Sequence, residues 1–426
     1  MNLQPVPIGK VGEILLQLYR TGGDEPRTAL PQSRLTASQV DLLKRLDERK
    51  HAARKKYGRR TPVLLLHGAS ASRDTFLFPP GASLTDFLIR YTNLEPWLLD
   101  WRGSKNVTDG DRGSALKKVF TFDDAAEQDI PAALRMIRCA EGNAELPIRA
   151  VGHCMGAAVL SRAIAGGILN DDLRPADIVL STIGLFFEVA VDGRLKAQDR
   201  LLERLWSDGD TRLIDPRCKS GAPRNVWPEE LEKMYSAWPD WFKPHRNAVQ
   251  ERRSSRRGSP DVLETCNRLS FMYGEPYYEP ALTPQIHASK EELANQFGSI
   301  PLQMYLHAVQ SVRRGWIAKF ESEEDVDSAA FVHTFISPAA REHFEGMNIT
   351  LITGALNRLW HRDSVDRMYE WLLRDGGRAT LRRCEKIIFR RNGHQDLLWG
   401  TNSWTEVFPR IADGLTALDD LPAHSR

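Results

Sequence analysis

The chain has 426 residues, of which 42% are apolar and 27% charged. Those proportions suit a folded globular protein with a sizeable core, and they exclude a disordered, collagen-like or low-complexity chain. The formal charge of +2 leaves no overall field that would argue for nucleic acid or a membrane surface.

No run approaches 18 consecutive apolar residues, so no stable membrane insertion is expected. The opening MNLQPVPIGK lacks a basic segment followed by an apolar one, so no signal peptide is expected. The five cysteines are Cys139, Cys154, Cys218, Cys266 and Cys384. An odd count without CxxC spacing is neither a disulfide framework nor a zinc site. Free thiols in a reducing, cytoplasmic setting are the simplest expectation.

Residues 11–20 read as a strand, closed by the turn residues TGGDEP. Residues 36–57 read as a helix: Thr36 and Gln39 form a capping-box pattern, and Val40, Leu43 and Leu46 an apolar stripe. Its basic end, with Arg54, Lys55, Lys56, Arg59 and Arg60, reads as a solvated face. From residue 61 short apolar runs alternate with helices. Strands are expected at 62–68, 96–101, 147–153, 176–182, 348–354 and 385–390. They are nearly all apolar rather than alternating, the pattern of parallel strands covered on both faces. Helices fit at about 122–141, 155–166, 363–374 and 402–416. The resulting α/β class is a mostly parallel, doubly wound sheet.

That rhythm breaks between residues 185 and 345, too long for an ordinary connection. The stretch carries Trp206, Trp227, Trp238, Trp241, Trp316 and FMYGEPYYEP (271–280), and reads as a mainly helical cap inserted before the penultimate strand. Its basic run, Arg252, Arg253, Arg256 and Arg257, reads as an exposed loop. Four segments follow: an N-terminal strand and helical arm (1–60), a first part of the core (61–184), the cap (185–345) and a second part of the core (346–426).

The most informative residues are Gly152-His153-Cys154-Met155-Gly156. They follow the apolar strand PIRAV and open the helix MGAAVLSRAIAGG. A strand turning sharply into a helix needs small residues two before and two after the apex, where the two backbones nearly touch. At this composition Gly-x-Cys-x-Gly is expected about 0.02 times by chance. The apex lies at a helix N-terminus, where the dipole favours an anion and draws a thiol toward thiolate. The bland alternative is an inert buried cysteine, which is how Cys139, Cys218, Cys266 and Cys384 are read.

A thiolate attacking a carbonyl needs an oxyanion hole and a base. The elbow offers the Met155 N–H. The loop His67-Gly68-Ala69-Ser70, after LLL, offers the Ala69 N–H. The base slot follows the last strand and holds His394, within Arg391-Asn392-Gly393-His394-Gln395-Asp396. His51, His287, His307, His333, His343 and His361 show no metal-ligand spacing. The orienting residue should follow the penultimate strand, where Asn357 stands in the carboxylate position. Asp363 is the alternative acid and Glu188 a weaker third candidate. Chain order, Cys154 then Asn357 then His394, is nucleophile, acid, histidine. The two departures are mutually consistent. A Cys–His pair that already rests as thiolate and imidazolium needs its third residue mainly to orient the ring, and an amide oxygen can accept the Nδ1–H bond.

At these residues the chain resembles an α/β-hydrolase. More narrowly it resembles the hydrolase domains associated with cholesterol-oxidase-type flavin oxidoreductases, and more distantly the acid lipases, which keep Ser and Asp. The matching segments are PVLLLHGASAS (62–72), WLLDWRGS (97–104), FTFDDAAEQDIPAAL (120–134), VGHCMGAAVL (151–160), ITGALNRLWHRDS (352–364) and GHQDLLWGTNSWTEVFP (393–409). They cover most of the core and little of the cap or the first 60 residues. In that pattern Asp396 is structural. No GxGxxG fingerprint is present, so the oxidase half is absent.

The resemblance implies an esterase- or lipase-like reaction without metal or cofactor. The first expectation is a cysteine-dependent hydrolase of hydrophobic carboxylic esters or thioesters. The second is an acyltransferase that passes the acyl group to an alcohol or amine, as polyester synthases with a Cys elbow do. The third is a non-catalytic binding module.

Overall fold

A computed structural model describes residues 3–11, 14–22, 35–110, 120–142, 146–198, 201–207, 213–217, 227–238, 260–274, 281–282, 290–320, 334–374 and 380–420. Eight strands form one sheet: β1 (Leu3–Val11), β2 (Ile14–Thr21), β3 (Thr61–Leu66), β4 (Leu94–Asp100), β5 (Arg149–His153), β6 (Asp177–Ser181), β7 (Asn348–Gly354) and β8 (Arg383–Phe389). Their spatial order is β1-β2-β4-β3-β5-β6-β7-β8. From β4 to β8 neighbours run parallel, and β2 pairs antiparallel with both β1 and β4.

The sheet is mostly parallel and covered on both faces, as the apolar strands imply. On β3, Val63 and Leu65 pack into one core while Leu64 and Leu66 pack into the other. A strand buried on both faces carries apolar residues at every position. Helices α1 (Ala37–Tyr57), α2 (Leu84–Tyr91) and, near the chain's end, α8 (Phe408–Leu415) cover one face. Helices α3 (Ile130–Glu141), α4 (Met155–Ala165) and α7 (Asp363–Leu373) cover the other. The Thr36–Gln39 capping box opens α1 as its sequence indicates.

Two elements differ from the sequence reading. The strand read at 11–20 begins at Ile14, and a further strand, β1, precedes it to make a hairpin. β1 carries Pro5 and Pro7, residues that argue against a strand in sequence; an edge position tolerates them because their missing N–H groups can face outward. The helix read at 122–141 is a short turn over Phe122–Asp124, a π-helical turn over Ala125–Asp129, and then α3.

Between β6 and β7 the described residues include α5 (Pro260–Tyr273) and α6 (Leu302–Arg314). Leu213–Ile214 pairs antiparallel with Ile300–Pro301, directly ahead of α6. Trp241, the arginines 252, 253, 256 and 257, Cys218, His287, His333 and residues 275–280 lie outside the described residues, as does the side chain of Trp206. Among the described residues no helix is long and apolar enough to cross a membrane. Nor does any group of three or more His, Cys, Asp or Glu among them stand ready to hold a metal ion.

Candidate active site

Chain order reverses direction at β3, which lies between β4 and β5. In open α/β sheets a crevice opens there, at the carboxyl ends of the strands. Leu66 is in register with Gly152, so the loop after β3 lies beside the turn after β5. Cys154 stands at the apex of that turn with φ +55°, a backbone conformation that L-residues rarely adopt. The turn is held by Cys154 N–H donating to Ser181 O at 3.0 Å. Gly156 is required by close approach. A Cβ there would sit 2.4 Å from Leu66 O and 2.5 Å from His67 O, both backbone atoms.

The loop after β3 is pinned on its far side. His67 is fully buried, stacked on Trp101 at 5.7 Å, with Nδ1 2.7 Å from Gly68 O. Ser70 N–H donates to Gly103 O at 2.9 Å. Tyr273, at the end of α5, donates its hydroxyl to Ser70 Oγ at 2.8 Å, tying the loop to the segment above the sheet.

His394 follows β8 and is 1% exposed. Its loop is closed by Asp396, whose Oδ2 accepts Gly393 N–H at 2.6 Å, in keeping with a structural role. The loop after β7 is pressed against it: a Cβ at Gly354 would lie 2.1 Å from Asn392 O. That contact brings Asn357, 4% exposed, to His394, with Asn357 Nδ2 3.3 Å from His394 Nδ1.

The amide faces opposite to the sequence expectation. Asn357 Oδ1 does not accept a proton from the ring; it accepts Leu359 N–H at 3.1 Å and Trp360 N–H at 3.0 Å. The turn after β7 thus claims the oxygen and leaves the nitrogen for the imidazole. Cys154 and His394 are both shifted toward their neutral forms by burial, away from the expected thiolate and imidazolium. Burial pushes the Cys154 thiol up to about 11, against the pull of the Trp360 N–H and the Met155 backbone N–H. Burial, and then neighbouring His153, hold His394 well below the ordinary histidine range. The His153 and His394 rings lie 4.9 Å apart.

Trp360 is the residue that sequence reasoning missed. Its indole Nε1–H donates to Cys154 Sγ at 3.4 Å. It is 5% exposed and packs edge-on against Phe187 at 5.1 Å. A tryptophan three residues past the carboxylate slot carries no spacing signal for such a role. Its only hint was an aromatic in a segment otherwise assigned to Asn357.

Cys154, Met155, Ala69, His394 and Trp360 line one cavity of about 950 Å³, its open mouth included. The rest of the lining is mostly apolar or aromatic, with Phe122, Leu202, Met272, Phe297, Ile300 and Val309 among it. Two other candidates are not brought there. Asp363 is half-exposed at the start of α7, its Oδ2 3.1 Å from His361 Nδ1. Glu188 pairs with Arg194 at 2.5 Å and with Arg367. Cys139 is exposed, Cys384 partly buried, and Cys266 buried away from this cavity's lining.

A family model described as "Alpha/beta hydrolase family" matches residues 63–408. Among solved structures, a highly thermostable carboxyl esterase from Bacillus coagulans is 11% identical; 98% of this chain and 99% of that one are covered, with a TM-score of 0.53. A soluble variant of monoglyceride lipase from Saccharomyces cerevisiae is also 11% identical, covering 98% and 94% with a TM-score of 0.48. At such identities the esterase shows a shared fold. No curated protein sequence matches the chain.

Proposed function

Because the chain belongs to the alpha/beta hydrolase family, we propose that it moves acyl groups through a thioester on Cys154. The observation that carries this is the sulfur itself. It stands on a strained elbow, takes an indole N–H, and faces an apolar cavity that His394 also lines. Sγ attacks the acyl carbon of a hydrophobic ester or thioester. The N–H groups of Ala69 and Met155 receive the oxyanion, His394 stands beside the bond that breaks, and Asn357 sets its ring. Water then releases the acid. Residues 185–345 act as the cap, and a thiol nucleophile suits a reducing cytoplasm. Cysteine in the elbow keeps the chain nearer to the oxidase-associated hydrolase domains than to the acid lipases.

A second reading is acyl transfer to an alcohol or amine. The largely apolar lining favours it, because a dry chamber protects an acyl-enzyme from hydrolysis. Incubation with activated esters of varied chain length, followed by mass analysis, tests the proposal. The expected result is an acyl adduct on the peptide containing Cys154, absent in Cys154→Ala. An added alcohol or amine separates transfer from hydrolysis by its product. If no adduct forms with any of these esters, the protein is a binding module instead.

A further inference from the structure

The hydrogen-bond directions around His394 bear on which leaving groups the site can expel, given the acyl-enzyme reading above. Asn357 Oδ1 is committed to two backbone donors, Leu359 N–H and Trp360 N–H. Turning the amide over would set its NH₂ against both, so the turn decides the assignment. Nδ2 therefore faces His394 Nδ1 at 3.3 Å. An amide nitrogen only donates, so Nδ1 accepts and the ring's single proton sits on Nε2. That Nε2 is buried with no hydrogen-bond partner among the described residues, and His394 lines the cavity of Cys154.

Two consequences follow. Nε2 already carries its proton, so it does not take one from the thiol. An imidazolium would turn an Nδ1–H against the Asn357 NH₂, so the ring is a poor proton store during the reaction. A neutral imidazole N–H is a far weaker general acid than an imidazolium, so it gives a departing alkoxide little help. A thiolate needs no such help, since its conjugate thiol has a pKa of about 8.5. On the nucleophile's side, Trp360 Nε1–H steadies charge on Sγ without exchanging a proton.

We propose that the site is built for thioesters rather than alkyl esters, because the turn after β7 holds the Asn357 amide with its donor toward His394 and so withholds a general acid. Sγ loses its proton to solvent. The Sγ anion forms a bond to the acyl carbon, and the resulting oxyanion collapses. The carbon–sulfur bond of the substrate breaks, its electron pair leaves as a thiolate, and that thiolate takes a proton from water. The acyl group passes from one sulfur to another with no change of oxidation state.

The test is a leaving-group series on one apolar acyl chain: a thioester of a simple mercaptan, an aryl ester and an ethyl ester. The rate of acyl-Cys154 formation is followed by intact mass, and each rate is divided by that of a free thiol in the same buffer. With no general acid, the wild type should follow the free thiol's own preference for thioester and aryl ester to within about threefold, leaving the ethyl ester without rescue. In Asn357→Asp one carboxylate oxygen keeps both backbone bonds and the other accepts Nδ1–H. That variant should close the gap by at least about tenfold through the ethyl ester alone. A wild-type ethyl-ester rate lying about tenfold or more above the free thiol's trend overturns the inference while leaving the acyl-enzyme reading intact, and so does an equal rise for all three substrates in Asn357→Asp. No adduct from any of the three overturns both. A melting curve for the variant confirms that it is folded.

Discussion

Replacing Trp360 by Phe isolates a single hydrogen bond. The six-membered ring keeps an edge-on partner for Phe187, and the backbone N–H that binds Asn357 Oδ1 is untouched. What disappears is the Nε1–H that lies 3.4 Å from Cys154 Sγ. A donor to a charged acceptor contributes about 1.5–3 kcal/mol, and one pKa unit corresponds to about 1.4 kcal/mol. The long contact to a large sulfur places the effect near the lower end, about one unit. Losing a donor disfavours the anion, so the thiol, already pushed up to about 11 by burial, moves further up. Alkylation follows the thiolate fraction, so Cys154 should label about tenfold more slowly at neutral pH. The assay is the rate of chloroacetamide labelling against pH, read peptide by peptide. Cys139, exposed on α3, serves as internal control and should keep its rate. An unchanged Cys154 profile, or an equal change at Cys139, refutes the reasoning.

Gly156→Ala places a methyl 2.4 Å from Leu66 O, and neither backbone can retreat from the other. It should destabilise the fold by about 1–3 kcal/mol and suppress acylation, as thermal denaturation and adduct formation will show. Acid should destabilise the protein well before its carboxylates titrate. Burial lowers His153 to about 3. A depressed folded pKa means that stability is complete above about 6.5 and is lost as pH falls from there toward 3. At about pH 5 this one ring accounts for about 2 kcal/mol, measurable by urea unfolding, and a flat profile between pH 7.5 and 5 would contradict it.

Much of this molecule is legible from local pattern. The core strands are mostly apolar runs without alternation, so their burial on both faces and their parallel pairing can be read without coordinates. Gly152 and Gly156 around Cys154 mark a turn too tight for larger residues, and chain order alone directs attention to His394 and Asn357. These signals survive in sequence because each depends on neighbours within a few residues.

Tertiary packing decided the rest. β1 is a strand because an open sheet edge accepts its prolines, and that edge is made by residues far along the chain. Trp360 reaches a sulfur 206 positions away, a partnership that no periodicity encodes. Asn357 could have turned either atom toward His394. The choice fell to two N–H groups of its own turn, whose geometry exists only once Gly354 is pressed against the loop after β8. Residue type names the groups available to a site, but hydrogen-bond direction is a property of the assembled backbone, and here that direction decides where the proton rests.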